Sequence, residues 1–213
     1  MADAIQGPLQ AYLDRLVPTR HPELVAMEEH ARAHGFPIIG PACGHLCYEV
    51  ARMTGARRIF ELGSGYGYST VWFARAVREN GGGIVHHTVW DADLSGQARR
   101  HLSALGLDAL VQFHVSEAVA ALAAQSGPFD LVFSDIDKAD YPASLPAIEA
   151  KLRPGGTLIV DNLLWGNRVL DPSQQDDATD GVRELTRLVT ESPGWISSIV
   201  PIRDGMLIAY KVP

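Results

Sequence analysis

The chain has 213 residues, 46% of them hydrophobic and 20% charged, proportions that allow a sizeable core and exclude wholesale disorder. Its formal net charge of −7 and pI near 5.6 argue against a dedicated nucleic-acid binder, which carries a basic face, although a local patch is compatible with an acidic total. No apolar run approaches the roughly 18–20 residues that span a bilayer, and residues 1–13 lack the basic and apolar segments of a secretory signal.

The length suggests one domain spanning 1–213, read as a helical extension over 1–55 and a core over 56–213. Leu9, Leu13 and Leu16 recur at helical spacing and Pro18 stops the run. A second helix runs from Pro22, a favoured first-turn residue, to the terminating Gly35. A third is expected over Cys43–Met53, with Met27 and Met53 as core residues. Cys43 and Cys47 share one face of it, a poor disulfide framework, and read as small buried apolar residues. The cysteine usage fits a reduced, cytoplasmic setting.

From residue 58 the pattern changes. Strands are expected at 58–62, 84–90, 111–115, 129–134 and 157–160, alternating with helices at 69–78, 97–105, 118–124 and 145–152. Pro154-Gly155-Gly156 reads as a turn, and His86 and His87 as the start of a strand. The polar stretch Asp171–Asp180 reads as a mobile surface loop whose acidic residues are solvated. A helix over 181–191 follows, then strands at 195–201 and 206–212 joined at Arg203-Asp204-Gly205, where Asp-Gly between apolar runs signals a hairpin. The alternation predicts an α/β fold: a Rossmann-like, doubly wound, mostly parallel seven-stranded sheet with helices on both faces and an antiparallel C-terminal hairpin.

Two motifs carry chemistry. Glu61-Leu-Gly63-Ser-Gly65-Tyr-Gly67-Tyr-Ser69 lies between the first strand and its helix, where glycines permit a tight turn and close approach of the backbone to a ligand. Its third glycine comes one residue too early for a dinucleotide fingerprint, which disfavours a nicotinamide dehydrogenase. An acid at the end of the next strand suits a ribose diol, because a carboxylate accepts from both hydroxyls; Asp91 is the candidate and Asp93 its competitor. The second motif is Ser134-Asp135-Ile-Asp137-Lys138-Ala-Asp140-Tyr141, with Asp161-Asn162 at the end of the following strand. If those strands are neighbours, Asp135, Asp161 and Asn162 offer three oxygens to one point, a hard donor set suited to Mg²⁺ or Ca²⁺. His30 and His34 are spaced like a zinc pair but lack the glutamate of a metalloprotease helix, and read as a solvated face.

The E-x-G-x-G-x-G loop resembles the first motif of class I S-adenosylmethionine-dependent methyltransferases. Asp-x-Asp-Lys-x-x-Tyr followed by Asp-Asn, with His21-Pro22-Glu23-Leu24, Pro154-Gly155-Gly156 and Asp204-Gly205-Met206, resembles the cation-dependent O-methyltransferases of the caffeoyl-CoA and, more distantly, the catechol group, over nearly the whole chain. The resemblance implies Asp135, Asp161 and Asn162 as metal ligands, for Mg²⁺ or alternatively Ca²⁺ or Mn²⁺. It implies Glu61, Gly63, Ser69, Asp91, Ala118 and Asp137 as S-adenosylmethionine contacts, and Lys138 as the general base. It further implies a vicinal dihydroxyaryl acceptor and a homodimer, while the acidic charge and the lack of a spanning run argue against a nucleic-acid or membrane partner. Trp165 and Tyr141 are candidates to pack on the acceptor's ring, and otherwise read as core or rim residues. Three departures stand out: Ser134 where a hydrophobic residue is usual, Gly166-Asn167 in inverted order after Leu164-Trp165, and Ser116-Glu117 before Ala118, which weakens that contact. The competing readings are a family member acting on 5-hydroxyuridine in tRNA and a non-catalytic cofactor-binding relative.

Overall fold

The computed structural model describes residues 2–213, with side chains from residue 7 onward. Three helices open the chain, α1 (Ala2–Leu16), α2 (Pro22–His34) and α3 (Gly40–Met53). The second starts on Pro22 behind a His21 cap and ends on left-handed Gly35, the asymmetry that proline and glycine impose on helix ends.

The rest is β1 (Arg58–Leu62), α4 (Tyr68–Glu79), β2 (Ile84–Val89), α5 (Ala92–Ala104), β3 (Val111–Val115), α6 (Ala118–Ala124), β4 (Phe129–Ser134), α7 (Tyr141–Lys151), β5 (Leu152–Val160), α8 (Asp177–Thr190), β6 (Trp195–Val200) and β7 (Met206–Lys211). They form one seven-stranded sheet in the order β3-β2-β1-β4-β5-β7-β6. The first five strands are parallel, and β7 pairs antiparallel with both β5 and β6.

Period-two alternation splits the core in two. Ile59, Leu131, Phe133 and Ile159 pack on one face against residues of α2, α3 and α4. Phe60, Val132, Leu158 and Ala209, in register across four strands, pack on the other against α6, α7 and α8. Each such Leu, Ile or Phe contributes about 1.5–3 kcal/mol by leaving water.

The chain order reverses between β1 and β4, the switch point where open α/β sheets bind ligands. Leu62, Ser134 and Val160 lie in one row there. Asp135 N–H donates to Leu62 O at 2.8 Å and Asp161 N–H to Ser134 O at 3.1 Å. Gly63, Asp135 and Asp161 therefore leave three adjacent strands side by side.

Several boundaries differ from expectation. α5 begins at Ala92, because Asp91 caps it by accepting from Asp93 N–H and Leu94 N–H. α7 begins at Tyr141, and β5 at Leu152, so Pro154-Gly155-Gly156 belongs to the strand. The acidic stretch is not all loop: Asp176 caps α8, whose first turn holds Asp177 and Asp180, where carboxylates favour the positive end of the helix. His86 and His87 stand inside β2, both buried. Met27 is fully buried, whereas Met53, at the last residue of α3, is 77% exposed and no core residue. Cys43 and Cys47 are buried free thiols. His30 and His34 stack at 4.1 Å on an exposed face. Among the described residues, no helix is long and apolar enough to cross a membrane.

Candidate active site

The glycine loop makes its turn with Gly63, Gly65 and Gly67 all at positive φ. Two of these glycines answer to packing. A Cβ on Gly63 would stand 2.4 Å from the carbonyl oxygen of Asp135, and one on Gly67 would stand 2.8 Å from Cβ of Ala98. The absence of a side chain at Gly63 thus lets the loop lie directly against the end of β4.

Glu61 is fully buried beneath that loop. Thr70 Oγ1 donates to its Oε2 at 2.5 Å and Ser64 Oγ at 3.4 Å, while Oε1 has no hydrogen-bond partner. Burial pushes its carboxyl up to about 7, against the lowering pull of hydrogen bonds from Ser69, Thr70 and Ser64. Behind it, Thr70 Oγ1 lies 3.1 Å from Nδ1 of buried His87. Ser69, in the first turn of α4, lines a small cavity with Gly63 and Asp135.

Beside the loop opens a cavity of about 620 Å³, lined among others by Gly63, Asp135, Asp137, Lys138, Asp161 and Asn162. Six of the ten residues singled out in the sequence therefore meet in one place. Asp91 is exposed, with Oδ1 committed to capping α5. Ala118 is buried at the first turn of α6. Neither lines this cavity.

Within it, Lys138 Nζ donates to Asp135 Oδ1 at 2.7 Å and to Ile136 O at 3.1 Å. The amine also stands over the rings of Tyr141 (5.2 Å) and Trp165 (5.8 Å), within cation–π range. Tyr141 is fully buried and donates its hydroxyl to Asp161 O at 2.9 Å, so it is a core residue that pins the site. Trp165 lines the cavity itself.

Asp161 is 1% exposed and its Oδ1 has no hydrogen-bond partner. Burial first, and the charge of Asp135 next, raise its carboxyl well above the usual range; Arg203, the Asn162 backbone N–H and Lys138 pull it down. Asn162, at φ 63°, donates its amide to Asp204 Oδ2 at 3.2 Å, which fixes the amide's orientation and leaves its carbonyl oxygen for another partner. Asp204 Oδ1 also accepts from Gly166 N–H at 2.6 Å.

Among the described residues no cluster of three or more His, Cys, Asp or Glu side chains is arranged for a metal; the set here has two carboxylates and depends on an amide oxygen for its third donor. Its oxygens, one of them buried and unpartnered, have the hard chemistry that Mg²⁺ or Mn²⁺ takes.

Sequence reasoning missed Arg203 and Phe36, which line the same cavity. Arg203 was legible only as part of a hairpin turn, and Phe36 only as the residue after a helix.

The chain is similar to known proteins over nearly its whole length. The family model described as O-methyltransferase matches residues 22–212. A Mycolicibacterium vanbaalenii protein, provisionally named as an O-methyltransferase, is 33% identical over 88% of this chain and 83% of its own length. A protein of Niastella koreensis named catechol O-methyltransferase is 29% identical over 98% of this chain and 99% of its own. The crystal structure of TomG, an O-methyltransferase of Streptomyces achromogenes involved in tomaymycin synthesis and solved with S-adenosylmethionine, superposes with a TM-score of 0.87 at 27% identity over all of both chains. The present chain belongs to the O-methyltransferase family, and is a methyltransferase.

Proposed function

We propose that the protein transfers the methyl group of S-adenosylmethionine to a hydroxyl of a small vicinal dihydroxyaryl acceptor, with a divalent cation held by Asp135, Asp161 and Asn162. The observation that carries the reading is the convergence of those three side chains and Lys138 in one cavity, just past the ends of β4 and β5 and against the glycine loop. The relative named catechol O-methyltransferase supports the acceptor class. The TomG complex supports the methyl donor.

The donor's charged groups find matching partners. Its methionyl ammonium suits the unpartnered Oε1 of buried Glu61, which binds a cation best when ionised. Its ribose diol suits the free Oδ2 of Asp91, since only Oδ1 caps α5. A cation at Asp135, Asp161 and Asn162 would supply Lewis-acid stabilisation of the acceptor's oxyanion.

The chain's own residues do the rest. A phenol with pKa near 10 is mostly protonated at neutral pH, so the acceptor has to lose a proton to become a good nucleophile. Lys138 is the candidate to take it. Its two hydrogen bonds, to Asp135 and Ile136, fix Nζ in place and leave one position on it to hold or receive a proton. Asp204 aims Asn162, Tyr141 anchors the backbone of Asp161, and Trp165 and Phe36 present apolar surface to an aromatic ring. Methyl transfer is then an in-line displacement in which the acceptor oxygen's lone pair forms the O–CH₃ bond as the sulfonium S–CH₃ bond breaks, and orientation supplies much of the rate.

The test is methyl transfer from S-adenosylmethionine across a panel of catechols, monophenols and tRNA, with Mg²⁺ or with EDTA. Activity confined to vicinal diols and abolished by EDTA is expected. Full activity in EDTA would refute the cation's role, and transfer to tRNA alone would refute the acceptor class.

A further inference from the structure

Arg203 has a conformation and a contact that the proposed chemistry does not use. It sits in the β6–β7 connection at φ 49°, a left-handed backbone that glycine adopts freely and a bulky side chain adopts at a cost. Such strain collects where a side chain is needed in one place. Its backbone N–H is tied to Gln10 Oε1 of α1 at 2.9 Å, which holds the turn in position. The guanidinium reaches into the cavity and meets Asp161 Oδ2 at 3.5 Å, a single long contact with a carboxylate that is otherwise buried. Among the described residues, no other side-chain partner of that guanidinium is present. The residue also borders a second cavity of about 370 Å³ lined by Asp14 and Glu28 and by Arg20 and Arg32, with Glu28 paired to Arg20 at 2.7 Å.

We propose that Arg203 is a built-in competitor for the divalent cation: it occupies the Asp161 carboxylate in the empty site and has to withdraw when the cation binds. This rests on the cation reading above. Guanidinium and a divalent ion repel at such range, and both seek the same oxygen. Arginine does not deprotonate in proteins, so it cannot resolve the conflict by losing its charge. Withdrawal is the remaining route, and the neighbouring cavity gives the side chain space to move into. The consequence is a weakened, readily reversible cation site whose affinity is set by a residue that is not a ligand.

The test is Mn²⁺ binding to the full chain, read from the paramagnetic resonance signal of free Mn²⁺ without any turnover, in wild type and in Arg203→Gly, Arg203→Gln and Arg203→Lys. Glycine suits the left-handed backbone and retains the N–H to Gln10, so that variant keeps the turn; glutamine removes the charge without changing the backbone class. Both are expected to bind Mn²⁺ at least tenfold more tightly than wild type, with lysine within threefold of it. Equal affinity in wild type and both neutral variants overturns the proposal while leaving the cation reading standing, and a gain in glycine alone overturns it as backbone relief. Binding only in the neutral variants supports competition and removes cation dependence from the native chain. No binding in any of the four overturns both.

Discussion

Asp161→Asn separates what this side chain does for function from what it does for stability. The carboxylate is 1% exposed, one oxygen is unpartnered, and the other has only the 3.5 Å contact with Arg203. Burial is the main cause of its raised pKa, followed by Asp135. A carboxyl whose folded pKa lies above its unfolded value stabilises the fold at low pH, and that contribution is lost as pH rises from about 4 through the folded pKa. Asparagine keeps the shape and does not titrate. Each unit of the rise is worth about 1.4 kcal/mol, and loss of the Arg203 pair returns up to about 1 kcal/mol. With the carboxyl pushed up to about 7, in EDTA at pH 8 the variant should therefore be more stable than wild type by about 3 kcal/mol, roughly 6–12 °C in melting temperature for a chain of this size. At pH 4 the two should melt together. Methyl transfer should fall by at least about 100-fold, consistent with the loss of a charged ligand, while S-adenosylmethionine binding persists. Melting curves at the two pH values, paired with isothermal titration of the cofactor, decide it. A variant that melts below wild type at pH 8 in EDTA would refute the reasoning, since it would mean the carboxylate is already satisfied by the protein.

The remaining expectations probe the base, the loop and the cofactor's carboxylate. Lys138→Gln should lower kcat by about 10²–10⁴, the range of general acid–base catalysis, with the Kd for S-adenosylmethionine unchanged; an unaltered kcat would reduce Lys138 to a holder of Asp135. Gly63→Ala should cost about 2–4 kcal/mol and weaken cofactor binding, because its Cβ would meet the Asp135 carbonyl at 2.4 Å in a backbone at φ 84°; chemical denaturation measures it, and a wild-type midpoint would contradict the packing. Glu61, pushed up to about 7 by burial, should make cofactor affinity rise with pH up to about 7 and level off above, since the ionised form is the one that meets the ammonium. Titration calorimetry between pH 5.5 and 8.5 should show that slope in wild type and none in Glu61→Gln.

Much of this protein was readable from residue order alone. The alternation of apolar runs placed all seven strands, because a strand buried on both faces has to be a short continuous apolar segment bounded by turns. The glycine spacing located the loop after β1, and the Asp-x-Asp-Lys and Asp-Asn motifs named the residues that line the cavity, because each motif lies at a strand end and carries its own chemistry. Helix starts were the weaker part: Asp91 and Asp176 looked like a ligand residue and a solvated loop residue, and their local capping of α5 and α8 depends on backbone N–H groups whose direction no composition reveals.

Tertiary structure alone decided three things. It set β4 beside β5 in the register that brings Asp135 and Asp161 together across 25 residues of intervening chain, a pairing whose stability is shared among distant apolar partners. It buried Glu61 and Asp161 with one oxygen each unanswered, which depends on how tightly the surrounding helices close. And it turned Arg203, distant in sequence from both motifs, onto the Asp161 carboxylate, because a hairpin between β6 and β7 can be aimed only by the sheet that holds it.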